Sequence, residues 1–412
     1  MASVTLESLP VELIEEIVAW LDFHDHCALR LTGRTISVKS FNAAIRKYFL
    51  SKKLEIAEAP LEQFVGVTQP GRFGLWVQDL TLYATPSQSY VDDEDTGELL
   101  PINPRIIELL AQGFENIRDN SPHDEPLSIT LRILGKGVKR NAAARVFRVT
   151  MAALRSTGLP IRSLDAFAED YSHRRGDFCG FPFNEIPEGL LGGSGADLSR
   201  LATTFQSCKK IGLSLTHYIT EFDPESIREF NLAREQEFCL PPSYEEAREN
   251  VRSLCDLLNM CTATLEELHL VWEQYRSYYR TAGVNEELYF FRGVAASCRF
   301  PNLKSCTLQN LRAFEATVLA FFRQHTGLVH LDLQYMYVKG GFDDLFKLLC
   351  TVMPGLIYLR LRGLYSSAGT IYFLNEPSEN RLKHRVGSPS PGIVRTGADA
   401  RRPVITRATR RR

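Results

Sequence analysis

The chain has 412 residues and a mass of 46.6 kDa, with 48 Lys and Arg against 49 Asp and Glu. At roughly 150 residues per domain, that length predicts two or three ordinary domains or one long array. A content of 44% apolar and 24% charged residues excludes wholesale disorder. The net charge of −1 hides a split, because residues 381–412 hold ten basic residues against Asp399, a charge of +9, which leaves −10 for the first 380. An acidic body carries a basic tail.

Nine cysteines are scattered through the chain, an odd number with no C-x-x-C pair. That usage predicts free thiols in a reducing compartment, not a disulfide framework. The first residues lack a basic segment, and Glu7, Glu12, Glu15 and Glu16 interrupt them, so no secretory leader is expected. No uncharged apolar run approaches 18 residues, so no membrane span or membrane partner is expected, and the expected location is cytoplasm, nucleus or both.

Pro10 fits the first turn of a helix, where its missing N–H costs nothing. Leu13, Ile14, Ile17, Val18 and Leu21 then recur at helical spacing. A break is predicted at Asp22–Asp25. A second short helix follows, with Cys27, Ala28, Leu29 and Leu31, and ends at Gly33; a third runs near Ser37–Tyr48. Three short helices bury little on their own, so their leftover apolar surface is either a partner site or a cap on the following domain.

The run LESLPVELIEEIVAWLDFHDHCALRLTGR resembles an F-box of the form common among fungal proteins, over residues 6–50. The resemblance is carried by Leu9-Pro10, Glu12-Leu13, Ile17 and Leu21, Asp25, and the segment Leu29–Arg34. It implies docking to a Skp-type adaptor and, through it, to a cullin–RING ubiquitin ligase. It also places Leu9, Pro10, Leu13, Ile17, Leu21 and Leu29 at or behind the adaptor surface. The chain departs from that family at His24–Asp25–His26, where apolar or small residues are more usual; such closely spaced groups read as solvated, not as metal ligands.

Beyond residue 73 the pattern L-x-x-L-x-L returns. It is cleanest at Leu265–Leu270, Leu328–Leu333 and Leu356–Leu361, carries Cys306 in place of Leu at 303–308, and is weaker at 77–82, 161–166 and 208–213. The segment 127–134 alternates like a strand without matching. Helical patterns lie between these strands, at 104–118, 142–156, 197–206, 244–260, 286–296, 312–324 and 342–352. Centred on 80, 131, 164, 211, 268, 306, 331 and 359, the strands are separated at the end by 25 and 28 residues, a leucine-rich-repeat period. The earlier, longer steps read as the same unit with insertions. Residues 74–365 thus resemble a degenerate leucine-rich-repeat solenoid of α/β class, with 51–73 as linker. The usual Asn after the strand is replaced by Glu273, Leu311, Met336 and Leu364. The rival is a doubly wound α/β domain, which also alternates strand and helix.

Insertions at 168–195 and 217–243 and an acidic loop at 92–95 are expected to project from one face, the first rich in aromatic and Arg residues suited to recognition. Enzyme signatures are mostly absent: Gly192-Gly193-Ser194-Gly195 lacks the ending of a phosphate loop, and no H-E-x-x-H or G-x-S-x-G occurs, while a catalytic Cys with a distant His stays open as a minor alternative. His325, His330, Cys255 and Cys261 have no partners fixed by spacing. The reading is therefore non-catalytic, with no cofactor and no metal.

Strand alternation sets the outward rows of a concave face. These are Lys210, Gly212 and Ser214; Glu267, His269 and Val271; Ser305, Thr307 and Gln309; His330, Asp332 and Gln334; and Tyr358, Arg360 and Arg362. A target protein is expected to bind there, chiefly through Glu267, His269, Thr307, Gln309, His330, Asp332, Tyr358, Arg360 and Arg362. Residues 366–412 lack periodicity and are expected to be a disordered basic tail: solvated, a contact for nucleic acid, or a misassigned exon. The function expected is substrate receptor of a Skp–cullin–F-box ligase. The alternatives are an F-box scaffold outside ubiquitination and a nucleic-acid-associated protein acting through its tail.

Overall fold

The computed structural model describes residues 5–85, 102–121, 126–135, 140–168, 179–183, 185–186, 195–216, 244–273, 283–374 and 392–409. The acidic loop, most of both long insertions and residues 375–391 lie outside them. The described chain is mixed α/β, built on a large, mostly parallel sheet.

The first fifty residues are helical, as expected, in shorter pieces: α1 (Val11–Trp20), α2 (Phe23–Leu31), α3 (Arg34–Lys39) and α4 (Phe41–Ala44), followed by a wide turn at Ile45–Phe49. The break between α1 and α2 is only Leu21–Asp22, because the Asp22 carboxylate accepts the Asp25 N–H at 2.8 Å and caps the new helix at once.

Residues 51–73 are not a linker. They form β1 (Ser51–Glu55) and α5 (Glu58–Val67), and β1 pairs with β2 (Asp79–Ala84) in parallel. The sequence SKKLE escapes the repeat pattern because this strand lies at the edge of the sheet, where one buried leucine, Leu54, suffices and lysines discourage further pairing.

The sheet continues through β3 (Leu127–Ile133), β4 (Ile161–Ala166), β6 (Lys210–Thr216), β7 (Glu267–Glu273), β8 (Ser305–Gln309), β10 (His330–Gln334) and β12 (Tyr358–Arg362). A two-residue β5 (Phe181–Pro182) also pairs with β6. Strand order follows chain order, and the order never reverses among the described residues, so the sheet lacks the switch point of a doubly wound domain.

Register explains the repeated leucines. Leu80, Ile129, Leu164, Ile211, Leu268, Cys306, Leu331 and Leu359 stand opposite one another across successive strands. Leu82, Leu131, Ala166, Leu213, Leu270, Leu308, Leu333 and Leu361 form a second ladder, and both are fully buried. The third strand is therefore centred on Ile129, not Leu131. Cys306 fills a leucine position, and burial pushes its thiol well above the ordinary range.

The intervening helices are α6 (Pro104–Asn120), α7 (Arg140–Thr157), α8 (Gly195–Phe205), α9 (Tyr244–Asn259), α10 (Gly283–Ser297), α11 (Glu315–Gln324) and α12 (Asp343–Thr351). α5 to α8 pack in succession, as do α9 to α12. Asn103 caps α6 by accepting the Arg105 N–H at 3.0 Å, with Pro104 in the first turn.

In the last three units the chain turns a corner after the strand and makes a second, short one: β9 (Arg312–Phe314), β11 (Tyr337–Lys339) and β13 (Tyr365–Ser366). Residues 312–314 are thus strand, and the helix expected from 312 begins at Glu315. The corner residues Asn310, Tyr335 and Gly363 share left-handed backbone, with φ of 56°, 54° and 58°. Leu311, Met336 and Leu364 are fully buried, so the corners are apolar.

The tail expected to be disordered is folded over 369–374 and 392–409. It supplies β14 (Gly369–Phe373), β15 (Gly392–Thr396) and β16 (Thr406–Thr409). β15 runs antiparallel on β12 and closes the main sheet; β16 pairs with β14 and extends the second sheet, whose order is β16-β14-β13-β11-β9. Pairing uses backbone groups, and the arginines find carbonyls: Arg395 donates to Arg402 O and Pro403 O, and Arg401 to Pro354 O at 2.9 Å. A composition that reads as solvated thereby becomes structure.

Candidate functional site

Two surfaces stand out, one at each end of the array. At the N-terminal end, α1 buries Ile14 and Val18, α2 buries only His26, and α3 buries Ile36. The opposite faces are apolar and in solvent. Of the residues assigned to the adaptor surface, Pro10 and Leu13 are exposed and Leu9, Ile17, Leu21 and Leu29 are half-buried, so none is given up to the core. Others carry more of the exposed area: Trp20 at 89%, Leu31 at 88% and Val38 at 75%, with Leu6, Val11 and Phe23 also open. Sequence reasoning passed over these. For Trp20 the signal was available, since it falls off the stripe that Ile14 and Val18 define on the buried side of α1.

Cations hold this module in shape. The Lys39 ammonium donates to Glu7 O at 2.8 Å and Leu9 O at 2.6 Å, fixing the turn that presents Leu9-Pro10. Lys47 donates to Ala19 O at 2.7 Å and Leu21 O at 2.6 Å, satisfying carbonyls at the end of α1, and Tyr48 donates its hydroxyl to Leu21 O. Arg46 pairs with Glu15 at 2.8 Å.

The module is also joined firmly to the sheet. Phe49 stacks on Phe73 at 4.8 Å, Phe41 meets Trp76 edge-on at 5.7 Å, and the Arg30 guanidinium lies 5.4 Å from the Phe73 ring centre. Leu50 O accepts from both Gln78 and Asp79. The exposed apolar face therefore has a fixed orientation relative to the array.

His26 lies inside the module beside Tyr48, and neither ring nitrogen has a hydrogen-bond partner among the described residues. Burial, then the nearby Arg30 and Lys47 charges, hold its pKa below the ordinary value. The His24–Asp25–His26 segment does not converge, since His24 is exposed and His26 buried.

At the other end, the rows expected to line a concave face divide in two. Gly212, Ser214 and Val271 are buried, and Ala168 crosses the position where a Gly212 side chain would project, at 3.1 Å. The central strands are thus covered on both faces, which alternation within each strand has no means to reveal. Glu267 and His269 remain partly open. From β8 onward the face is accessible, although Gln309 and Gln334 are themselves buried.

There the register sets Ser305, His330 and Tyr358 in one row and Thr307, Asp332 and Arg360 in the next. His330 stacks on Tyr358 at 5.7 Å. Asp332 lies 3.7 Å from the Arg360 guanidinium and accepts from the Gln334 amide at 2.9 Å. Arg362 sits over the Tyr335 ring at 5.5 Å. A shallow pocket of about 120 Å³ opens among Ser305, Thr307, His330, Asp332 and Tyr358. It offers a stacked ring pair and the Asp332 carboxylate, with the Arg360 guanidinium beside it, features suited to gripping a side chain of another molecule.

The remaining chemistry is structural. His325 is buried with both nitrogens used: Phe300 N–H donates to Nε2 at 3.0 Å, and Nδ1 meets Phe321 O at 2.7 Å, which fixes the neutral tautomer with its proton on Nδ1. Burial holds its pKa down. Cys208 is buried, and its thiol is pushed up to about 12. Among the described residues no group of three or more His, Cys, Asp or Glu side chains is placed to hold a metal, and no helix is long and apolar enough to cross a membrane. No family model matches this chain, and no curated protein matches it either.

Proposed function

We propose that this chain is an F-box-type substrate receptor, in which the N-terminal module docks a Skp-type adaptor and a leucine-rich-repeat-like solenoid presents a target protein. The observation that carries the reading is the exposed apolar face of α1, α2 and α3. Leu13, Trp20, Leu31 and Val38 stand in solvent on helices whose other side is packed and braced by Lys39 and Lys47. Exposed apolar area concentrated in one small module marks an interaction site.

What supports the solenoid reading is the strand order, the two unbroken side-chain ladders and the left-handed corner repeated at Asn310, Tyr335 and Gly363. The target would meet the open rows of β8, β10 and β12. On this reading the chain supplies proximity and orientation, and the bond-making belongs to its partners.

Capture of the tagged full-length protein from cells, followed by identification of bound chains, tests it. Recovery of adaptor and cullin together is expected. Adaptor without cullin would point to a scaffold outside ubiquitination, and absence of both would end the proposal.

A further inference from the structure

The second sheet has a chemistry that adaptor docking and target presentation leave unused. Its strands β9, β11, β13, β14 and β16 read RAF, YVK, YS, GTIYF and TRAT, without one acidic residue. Alternation sends Ala313, Val338, Ser366, Ile371 and Phe373 into the core. The other face then carries Arg312, Tyr337, Tyr365, Tyr372 and, on β16, Arg407.

The register makes this an ordered surface. Arg312 stands opposite Tyr337, Tyr337 opposite Tyr365, and Tyr372 opposite Arg407. Neighbouring strands lie about 4.8 Å apart, so Arg312, Tyr337 and Tyr365 form one close row that continues through Thr370, and Tyr372 with Arg407 forms a second row beside it. Cations already rest on ring faces: Arg312 over Tyr337 at 5.8 Å, Lys339 over Phe314 at 5.5 Å, and Arg362 over Tyr335 at 5.5 Å at the corner leading in. Tyr337 and Tyr335 keep 37% and 39% of their surface in water. Glu315, which follows β9, accepts from the Gly341 N–H at 2.9 Å.

A surface for an acidic peptide needs only the cations. Half-exposed tyrosines beside those cations add planar stacking sites, which a peptide of Asp and Glu does not use. Bases and phosphates of a single-stranded nucleic acid use both, through stacking on rings and guanidinium planes and neutralisation by Arg and Lys.

We propose that the outer face of this second sheet, from Arg312 and Tyr337 to Tyr372 and Arg407, binds single-stranded nucleic acid without strong sequence preference. The site is independent of the adaptor reading: its residues lie at the opposite end of the sheet from α1–α4. It also differs from a tail acting by charge alone, because folded strands hold the rings.

The test is fluorescence anisotropy of the full-length protein with labelled 20-nucleotide oligo-U and oligo-dT, between 50 and 200 mM salt. Binding is expected to weaken with salt along a log–log slope of about −3, the value for about four phosphates neutralised. Tyr337→Ala with Tyr365→Ala is expected to weaken binding at least about tenfold. Arg312→Gln with Arg407→Gln should weaken binding and flatten the slope. Circular dichroism melts accompany each variant, and the glutamine pair, being at the surface, serves if the alanine pair unfolds. Absence of binding at 50 mM salt would overturn the proposal. So would binding unchanged in both variant pairs but lost on removal of residues 410–412, or equal competition by poly-glutamate.

Discussion

Tyr335 and Gly363 occupy the same corner of consecutive units, and the second is glycine because the ring of the first leaves no room. A Cβ on Gly363 would fall 2.6 Å from Tyr335 Cδ1, and φ at Gly363 is +58°. Gly363→Ala therefore combines a clash with left-handed backbone strain, and is expected to cost about 2 kcal/mol, read as a lower midpoint in urea denaturation. Asn310→Gly, at the equivalent corner two units earlier, should be close to neutral or slightly stabilising.

Acid should weaken the fold at two places. His26 and His325 both have folded-state pKa values below the ordinary 6.5. The unfolded chain then binds more protons than the folded one near that value, so stability rises with pH. The contribution is complete above about pH 6.5 and is lost as pH falls through the folded-state values. Melting temperatures between pH 5 and 8 check this; His325→Phe is expected to flatten the lower limb. It should also lower stability by about 1–3 kcal/mol, since the Phe300 N–H loses its buried acceptor.

Lys47 braces the end of α1 through carbonyl contacts. Lys47→Met keeps the apolar stem but removes the charge, and is expected to destabilise the module by about 1 kcal/mol. Hydrogen exchange localises the effect: α1 amides should exchange faster while those of β10 stay unchanged.

Removing the chain after Leu374 tests whether the tail is structure. It would strip β15 from β12 and β16 from β14, uncovering two strand edges. A melting temperature lower by several degrees, with increased aggregation, is expected. A merely solvated tail would leave both unchanged.

The sequence was most informative where burial is one-sided and repeated. Leu268, Leu331 and Leu359 stand in one ladder because every unit buries the same positions, and that repetition is visible as spacing. β1 was missed because an edge strand with one buried leucine has no pattern, and β15 because its place depends on backbone pairing to β12. Strands of three residues such as β9 and β11 are too short for any period. At the concave face, alternation named Gly212, Ser214 and Val271 correctly as opposite to the core, yet their covering comes from elsewhere in the chain. In the first helices the resemblance picked four half-buried positions beside the exposed Pro10 and Leu13, whereas Trp20 and Leu31, with the greatest exposure, are not among them.

The most direct test of the docking role is calorimetric titration of a purified Skp-type adaptor into the full-length protein, beside the variants Trp20→Glu/Leu31→Glu and Ile14→Ala. The first pair lies in solvent and should change stability by no more than about 0.5 kcal/mol; Ile14→Ala opens the core and should cost about 2–4 kcal/mol. A one-to-one complex is expected for the wild type and is lost in the Trp20→Glu/Leu31→Glu variant, with that variant's melting temperature unchanged. No heat of binding with the wild type, or equal binding by the stable double variant, would contradict the docking role.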